Sequence, residues 1–289
     1  MLAENHPVNE SIQEISKDSW LIANKLVLSR QSSPPYDQPS WSDGNNAFYV
    51  LSEVRGPLPA SIPLSKTSDI QKVYDAGGAS AVWRVGEAFI KVKKIRLPNA
   101  TREHVALGHL HTKRPLNFDI PDVHYHAEFD GRYYIVLSRL PGPTLGEVWP
   151  RLDEAAKQDT SDAISGVDGH QVSDLFLTKP DAEENCDPQI LLNNCKEVGM
   201  DCSSFVFYHC DLGPGNIIVN EISIGIIDWE TAGFVPVEWI RTKFRISGGL
   251  DLPVEDEDAR TDWRRRVSRQ LEVLGFTDAV DKMIECWGI

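Results

Sequence analysis

Asp211, Asn216 and Asp228 are the residues through which this sequence offers chemistry. Asp211 and Asn216 are separated by Leu212, Gly213, Pro214 and Gly215, and Asp228 closes the apolar run Ile224, Gly225, Ile226, Ile227. Two carboxylates and a side-chain amide, on two neighbouring strands and the loop that opens the first, fit phosphoryl transfer from ATP. The γ-phosphoryl group moves when Mg²⁺ neutralises its oxygens, and that metal takes hard oxygen ligands on rigid backbone. A further carboxylate has to orient the acceptor hydroxyl and take its proton. At this spacing Asp211 stands in the base position of a phosphotransferase loop and Asn216 in the metal position. Asp228 takes the place of the second metal-binding carboxylate. The glycines and proline between base and amide are turn residues that let the loop fold tightly.

Such a site needs elements that bring phosphates to it. Residues 71–85 read as strand, glycine turn, strand, and 88–93 as the next strand. Gly77, Gly78, Ala79 and Ser80 between two strands can turn backbone N–H groups toward phosphate oxygens, although a two-glycine hairpin turn explains the same run and the full G-x-G-x-x-G pattern is missing. Lys91 follows one hairpin later, where a phosphate-gripping lysine belongs. Alternation puts Lys91 and Lys93 on one strand face and Ile90 and Val92 on the other, and the order after the glycine turn favours Lys91. Thr101 caps an expected helix to Leu110, with Glu103 one turn in as the ion partner for Lys91; an exposed glutamate favoured by the helix N-terminus is the competing reading. Residues 119–126 and 131–140 give two more strands around an Asp-Gly turn. The second stops at Pro141, Gly142 and Pro143, which suits a hinge where adenine bonds to backbone near Ser138 and Leu140. His124 and His126 alternate with Tyr125, but no third ligand accompanies them, so they read as strand-surface histidines.

The composition narrows the partners. The chain has 289 residues, 25% of them charged, with a formal net charge of −14. That charge opposes attraction to nucleic-acid phosphates; it suits a cationic small substrate, and equally a merely solubilising surface. The five cysteines form no C-x-x-C pair and read as reduced thiols in a cytoplasmic setting. The first seven residues lack the basic start and apolar core of a signal peptide, and no apolar run approaches the roughly 18 residues of a membrane span.

Elsewhere, Ile12, Ile15, Ile22 and Leu26 at helical spacing predict a helix over residues 10–29, followed by an irregular Pro/Ser/Gly-rich arm with Trp41, Phe48 and Tyr49 packed on a surface. Residues 151–163 suggest a weak helix, and 188–198, 236–245 and 255–274 clearer ones. In the last of these Trp263, Val267, Leu271 and Leu274 share a face, with Arg264, Arg265 and Arg266 on its wet side. The acidic run Asp251 to Asp258 either caps that helix or lines a site for a cation. The expected architecture is α+β and two-lobed: an N-terminal helix and arm over 1–65, an antiparallel nucleotide-binding sheet lobe over 66–140, and a mainly helical lobe over 141–289 carrying the catalytic loop and metal site.

The stretches His209 to Asn216, Ile227 to Pro236 and Tyr134 to Leu145 resemble the aminoglycoside phosphotransferase and choline kinase superfamily, most closely its uncharacterised fungal phosphotransferase-like members. The resemblance spans roughly residues 66–250 and is more specific in its second half. It implies a protein-kinase-like fold, ATP with Mg²⁺, and transfer to a hydroxyl of a small molecule. By position it implies Asp211 as base, Asn216 and Asp228 as magnesium ligands, Lys91 as phosphate lysine and Glu103 as its partner; His209 supports the loop. Asp-Trp-Glu in place of Asp-Phe-Gly, with no Ala-Pro-Glu after it, argues against a protein kinase. The glycine loop is degenerate, and the interval from Trp149 to His209 is shorter than the family's helical insert. A non-catalytic nucleotide-binding or interaction module, its acceptor site lost with that insert, is therefore the alternative.

Overall fold

The computed structural model describes residues 7–113, 115–145, 160–161, 165–180, 185–220 and 222–289. The chain is α+β and divides into two units, residues 1–96 with 121–139 and residues 97–120 with 140–289. The helix expected near residue 151 falls largely outside the described residues, as does Trp149.

The first unit is built from two antiparallel sheets. Strands β1 (Ile12–Ser16), β2 (Ser19–Ile22), β3 (Leu26–Gln31), β4 (Ser40–Ser42), β5 (Phe48–Glu53) and β6 (Ile62–Pro63) form a six-stranded sheet ordered β4-β5-β3-β2-β1-β6. This overturns the helix expected over residues 10–29. Ala23 and Asn24 take left-handed backbone, which breaks any helix there and turns β2 back on β3. Trp20 with Ile22 and Leu26 with Leu28 enter the shared core while Leu21, also buried, does not, a period of two rather than 3.6. The helical spacing of the four residues cited for it was coincidental, and Ile15 is only half-buried.

Strands β7 (Gln71–Asp75), β8 (Ser80–Val85), β9 (Ala88–Lys94), β10 (Val123–Phe129) and β11 (Arg132–Ser138) form the second sheet, ordered β10-β11-β9-β8-β7. Asp130 and Gly131, both at positive φ (53° and 69°), make the tight turn between β10 and β11 that the Asp-Gly pair predicts. One core joins the two sheets: Trp20, Leu28, Trp41 and Leu51 from the first pack with Trp83, Ile90, Val92, Tyr134 and Val136 from the second. Trp41 and Tyr49, expected to anchor an irregular arm, are strand residues of this core, 4% and 2% exposed.

The second unit carries helices α1 (Glu103–Thr112), α2 (Pro188–Glu197), α3 (Val237–Ile246), α4 (Glu257–Val273) and α5 (Val280–Trp287). Its strands are β12 (Thr160–Ser161), β13 (Phe205–Tyr208) and β16 (Gly233–Val235) in one antiparallel sheet, and β14 (Ile217–Val219) with β15 (Ile224–Ile226) in a hairpin. Local chemistry sets the helix ends: Asp187 accepts from the N–H groups of Gln189 and Ile190 ahead of Pro188, and Asp256 accepts from the N–H of Ala259. The residue before α1 is Arg102, without a side-chain cap, so Thr101 lies one position outside its expected place. Trp263 is buried and Val267 and Leu271 pack beside it, but Leu274 is exposed because α4 ends at Val273. Arg264 does not face water: its Nε donates to Asp251 Oδ1 at 2.7 Å and its Nη1 to the Arg245 carbonyl at 2.8 Å. Asp251 is thereby committed to a structural ion pair rather than to a site for a cation. Among the described residues no helix is long and apolar enough to cross a membrane.

Candidate active site

The loop from His209 to Asn216 connects β13 to β14, and the hairpin returns through β15 to Asp228, so the three residues singled out by type sit on one continuous element of the second unit. Ile217 pairs with Ile226 across the hairpin, which sets Asn216 beside Ile227: the Ile227 N–H donates to the Asn216 carbonyl at 3.0 Å. The Asn216 side-chain N–H donates to the Asp211 carbonyl at 2.8 Å and to Asp211 Oδ2 at 3.3 Å. That amide orientation leaves Oδ1 as an oxygen donor for a ligand.

His209 lies under the loop, 3% exposed. Its Nδ1 accepts from the Asp211 N–H at 3.2 Å, so Nε2 carries the proton and donates to the Ile227 carbonyl at 2.8 Å. The Thr231 hydroxyl donates to the His209 carbonyl at 2.9 Å. Two segments that carry carboxylates are thus stitched together by one imidazole and one hydroxyl. Cys210 (φ 64°) and Asp228 (φ 63°) both adopt left-handed backbone, a conformation that non-glycine residues keep only where the surroundings dictate it.

The carboxylates converge. Glu103 on α1, Asp228 and Glu230 place oxygens within 4.8 Å of one another, and Glu103, 1% exposed, accepts the Trp229 N–H at 3.2 Å. Burial pushes the Asp211 carboxyl above the usual carboxylate range, as do the Asp228, Asp174 and Glu230 charges, while Lys243 pulls it down. An all-oxygen donor set of this kind suits Mg²⁺ rather than a softer metal.

The remaining residues predicted from sequence lie as follows. Lys91, on β9 of the first unit, is opposite Val82 and Ile135 and 8% exposed, whereas Lys93 is half-buried and Lys94 exposed. Lys91 is thus the most covered of the three lysines, on the strand face away from the two-sheet core. Gly77 (φ 61°) makes the left-handed turn between β7 and β8, and both Gly77 and Gly78 have open space where a Cβ would stand. The Gly77 N–H is spent on Asp75 Oδ1 at 2.8 Å, and Ser80 begins β8, its carbonyl accepting from Ala76 at 2.8 Å. Ser138 ends β11 and is bonded through both its N–H and its hydroxyl oxygen to the Asp122 backbone, each at 2.8 Å. Leu140, in the second unit, packs on Gly225, where an added Cβ would come within 2.5 Å of the leucine Cδ1.

Two features escaped the sequence. Glu230 was visible inside Asp-Trp-Glu, but only the turn of residues 229–231 brings its carboxylate beside that of Asp228. Asp174 and Lys243 form a buried ion pair, Nζ to Oδ1 at 2.6 Å, across a gap of 69 residues that no spacing rule bridges.

No family model matches the chain, and no curated protein matches it in sequence. Solved structures give distant likenesses. The aminoglycoside phosphotransferase APH(3'')-Id from Streptomyces rimosus is 16% identical with a TM-score of 0.40, covering 74% of this chain and 88% of its own. A putative fructosamine-3-kinase from Haemophilus somnus is 11% identical with a TM-score of 0.37, covering 73% and 84%. The bifunctional kinase-methyltransferase WbdD is 17% identical with a TM-score of 0.30, covering 68% of this chain. The chain spans only 41% of that WbdD chain.

Proposed function

We propose that the chain is an ATP-dependent phosphotransferase that moves the γ-phosphoryl group to a hydroxyl of a small molecule, with a protein-kinase-like fold of the aminoglycoside phosphotransferase and choline kinase type. The observation that carries this reading is the convergence of Asp228 and Glu230 with the buried Glu103, beside a loop in which Asn216 is bonded to Asp211. In this reading Asp228, Glu230, Glu103 and Asn216 Oδ1 would hold Mg²⁺, whose charge when bound would neutralise phosphate oxygens. Asp211 orients the acceptor hydroxyl and accepts its proton; a carboxyl raised above the usual range is a better base than a solvated one. His209 keeps the Asp211 backbone in register by accepting its N–H. Lys91 is the candidate phosphate lysine of the first unit. The formal net charge of −14 suits a cationic acceptor.

The test is a panel of hydroxyl compounds, cationic ones included, incubated with Mg-ATP and read for phosphorylated product by mass spectrometry. Phosphorylation of at least one compound, dependent on Mg²⁺, supports the assignment. Mg-ATP stabilisation of the fold with no product and no ATP hydrolysis contradicts it.

A further inference from the structure

The Asp174–Lys243 pair has no role in the chemistry proposed for the Asp211 site, yet it is among the most deeply buried charge pairs among the described residues, with side chains 2% and 5% exposed. The Asp174 carboxylate is held from three directions: Lys243 Nζ and the Phe176 N–H donate to Oδ1 at 2.6 and 3.2 Å, and Trp239 Nε1 donates to Oδ2 at 2.9 Å. The ammonium lies 4.4 Å from the Phe176 ring centre and 5.7 Å from that of Trp239. Stability alone is a poor reason for such a pair, because desolvation offsets most of its attraction and apolar residues of like volume serve as well.

Its location gives a better reason. Trp239, Val172 and Leu177 share one core with Tyr208 and Cys210, the residues that lead directly into Asp211. The left-handed Cys210 has to be held by that core. Among the described residues Lys243 spends one ammonium donor, on Asp174, and the Tyr208 hydroxyl in the same core is buried without a partner.

We propose that Lys243, by fixing the Asp174 carboxylate that in turn holds Trp239 in the core shared with Tyr208 and Cys210, is a positioning residue for the loop that carries Asp211. The proposal rests on the phosphotransferase function assigned to Asp211.

Lys243→Met removes the charge and keeps the length. The double variant Asp174→Asn with Lys243→Met also removes the charge that the single variant leaves buried and alone, and its amide oxygen still accepts from Trp239. Melting temperature, Mg-ATP turnover with kcat and KM for ATP separated, and hydrogen exchange at the Asp211, Gly213 and Asn216 amides are measured on the full chain. We expect the double variant to melt near the wild-type temperature, with kcat lower by about 10- to 100-fold, KM for ATP unchanged, and exchange at the three amides faster by about tenfold. Wild-type kcat in the double variant, or unchanged exchange at those amides, overturns the proposal. A wild-type chain that binds Mg-ATP without turning it over defeats the phosphotransferase reading instead, and the exchange measurement then still decides the role of Lys243.

Discussion

Glu103 Oε1 accepts the backbone N–H of Trp229 at 3.2 Å, so the first turn of α1 is fastened to the residue that follows Asp228. The buried carboxylate both fixes the peptide after Asp228 and adds negative charge beside the Asp228 and Glu230 oxygens. Glu103→Gln keeps an acceptor for the N–H and removes the charge. Its affinity for Mn²⁺, used as a spectroscopic substitute for Mg²⁺ and titrated by electron paramagnetic resonance, is predicted to fall by about tenfold or more while the melting temperature changes little.

Gly233 is required by what lies against it. A Cβ there would meet Val172 Cγ2 at 1.9 Å and the Ser165 carbonyl at 2.8 Å. Gly233→Ala is predicted to destabilise the chain by about 1–3 kcal/mol in urea unfolding, with partial recovery when Val172→Ala is added. Equal stability of Gly233→Ala and wild type would show that residues 165–172 do not pack on β16 as described.

In the first unit, Asp43 Oδ1 accepts the N–H groups of Asn45 and Ala47 at 2.6 and 2.9 Å, and Oδ2 accepts from Arg30 Nε at 2.9 Å. The Asn45 and Ala47 bonds and the guanidinium hold its carboxyl below the ordinary value of 3.8. A depressed carboxyl stabilises the fold above its unfolded value and loses that contribution as pH falls through the folded one. The melting-temperature gap between wild type and Asp43→Asn should therefore be full at pH 5 to 7 and shrink below about pH 3.8. A gap that stays constant to pH 2, or widens in acid, contradicts the assignment.

Local signals were readable from sequence where neighbours in the chain decide the outcome. The Asp130–Gly131 turn, the glycine turn at Gly77, the acidic cap of α4 and the hairpin that carries Asn216 toward Asp228 all depend on residues within a few positions of each other. Over residues 10–29 four isoleucines and leucines happen to fall at helical spacing, while Trp20 with Ile22 and Leu26 with Leu28, the residues that enter the core on either side of a left-handed turn, hold the period of a strand. At the candidate site, residue type and spacing singled out Asp211, Asn216 and Asp228. Glu230 beside Asp228 and Lys243 on Asp174 depend on tertiary approach, and neither leaves a spacing in the chain.

The most direct measurement is γ-phosphoryl transfer from Mg-ATP, or hydrolysis where no acceptor is added, by wild type and Asp211→Asn side by side, with the melting temperature of each. The Asp211 carboxylate accepts from the Asn216 amide at 3.3 Å, a bond that the amide oxygen of asparagine keeps, so the asparagine variant is predicted to fold and to bind Mg-ATP as wild type does. Its kcat is predicted to be lower by about 100- to 10,000-fold. Wild-type turnover that persists unchanged in Asp211→Asn contradicts the account.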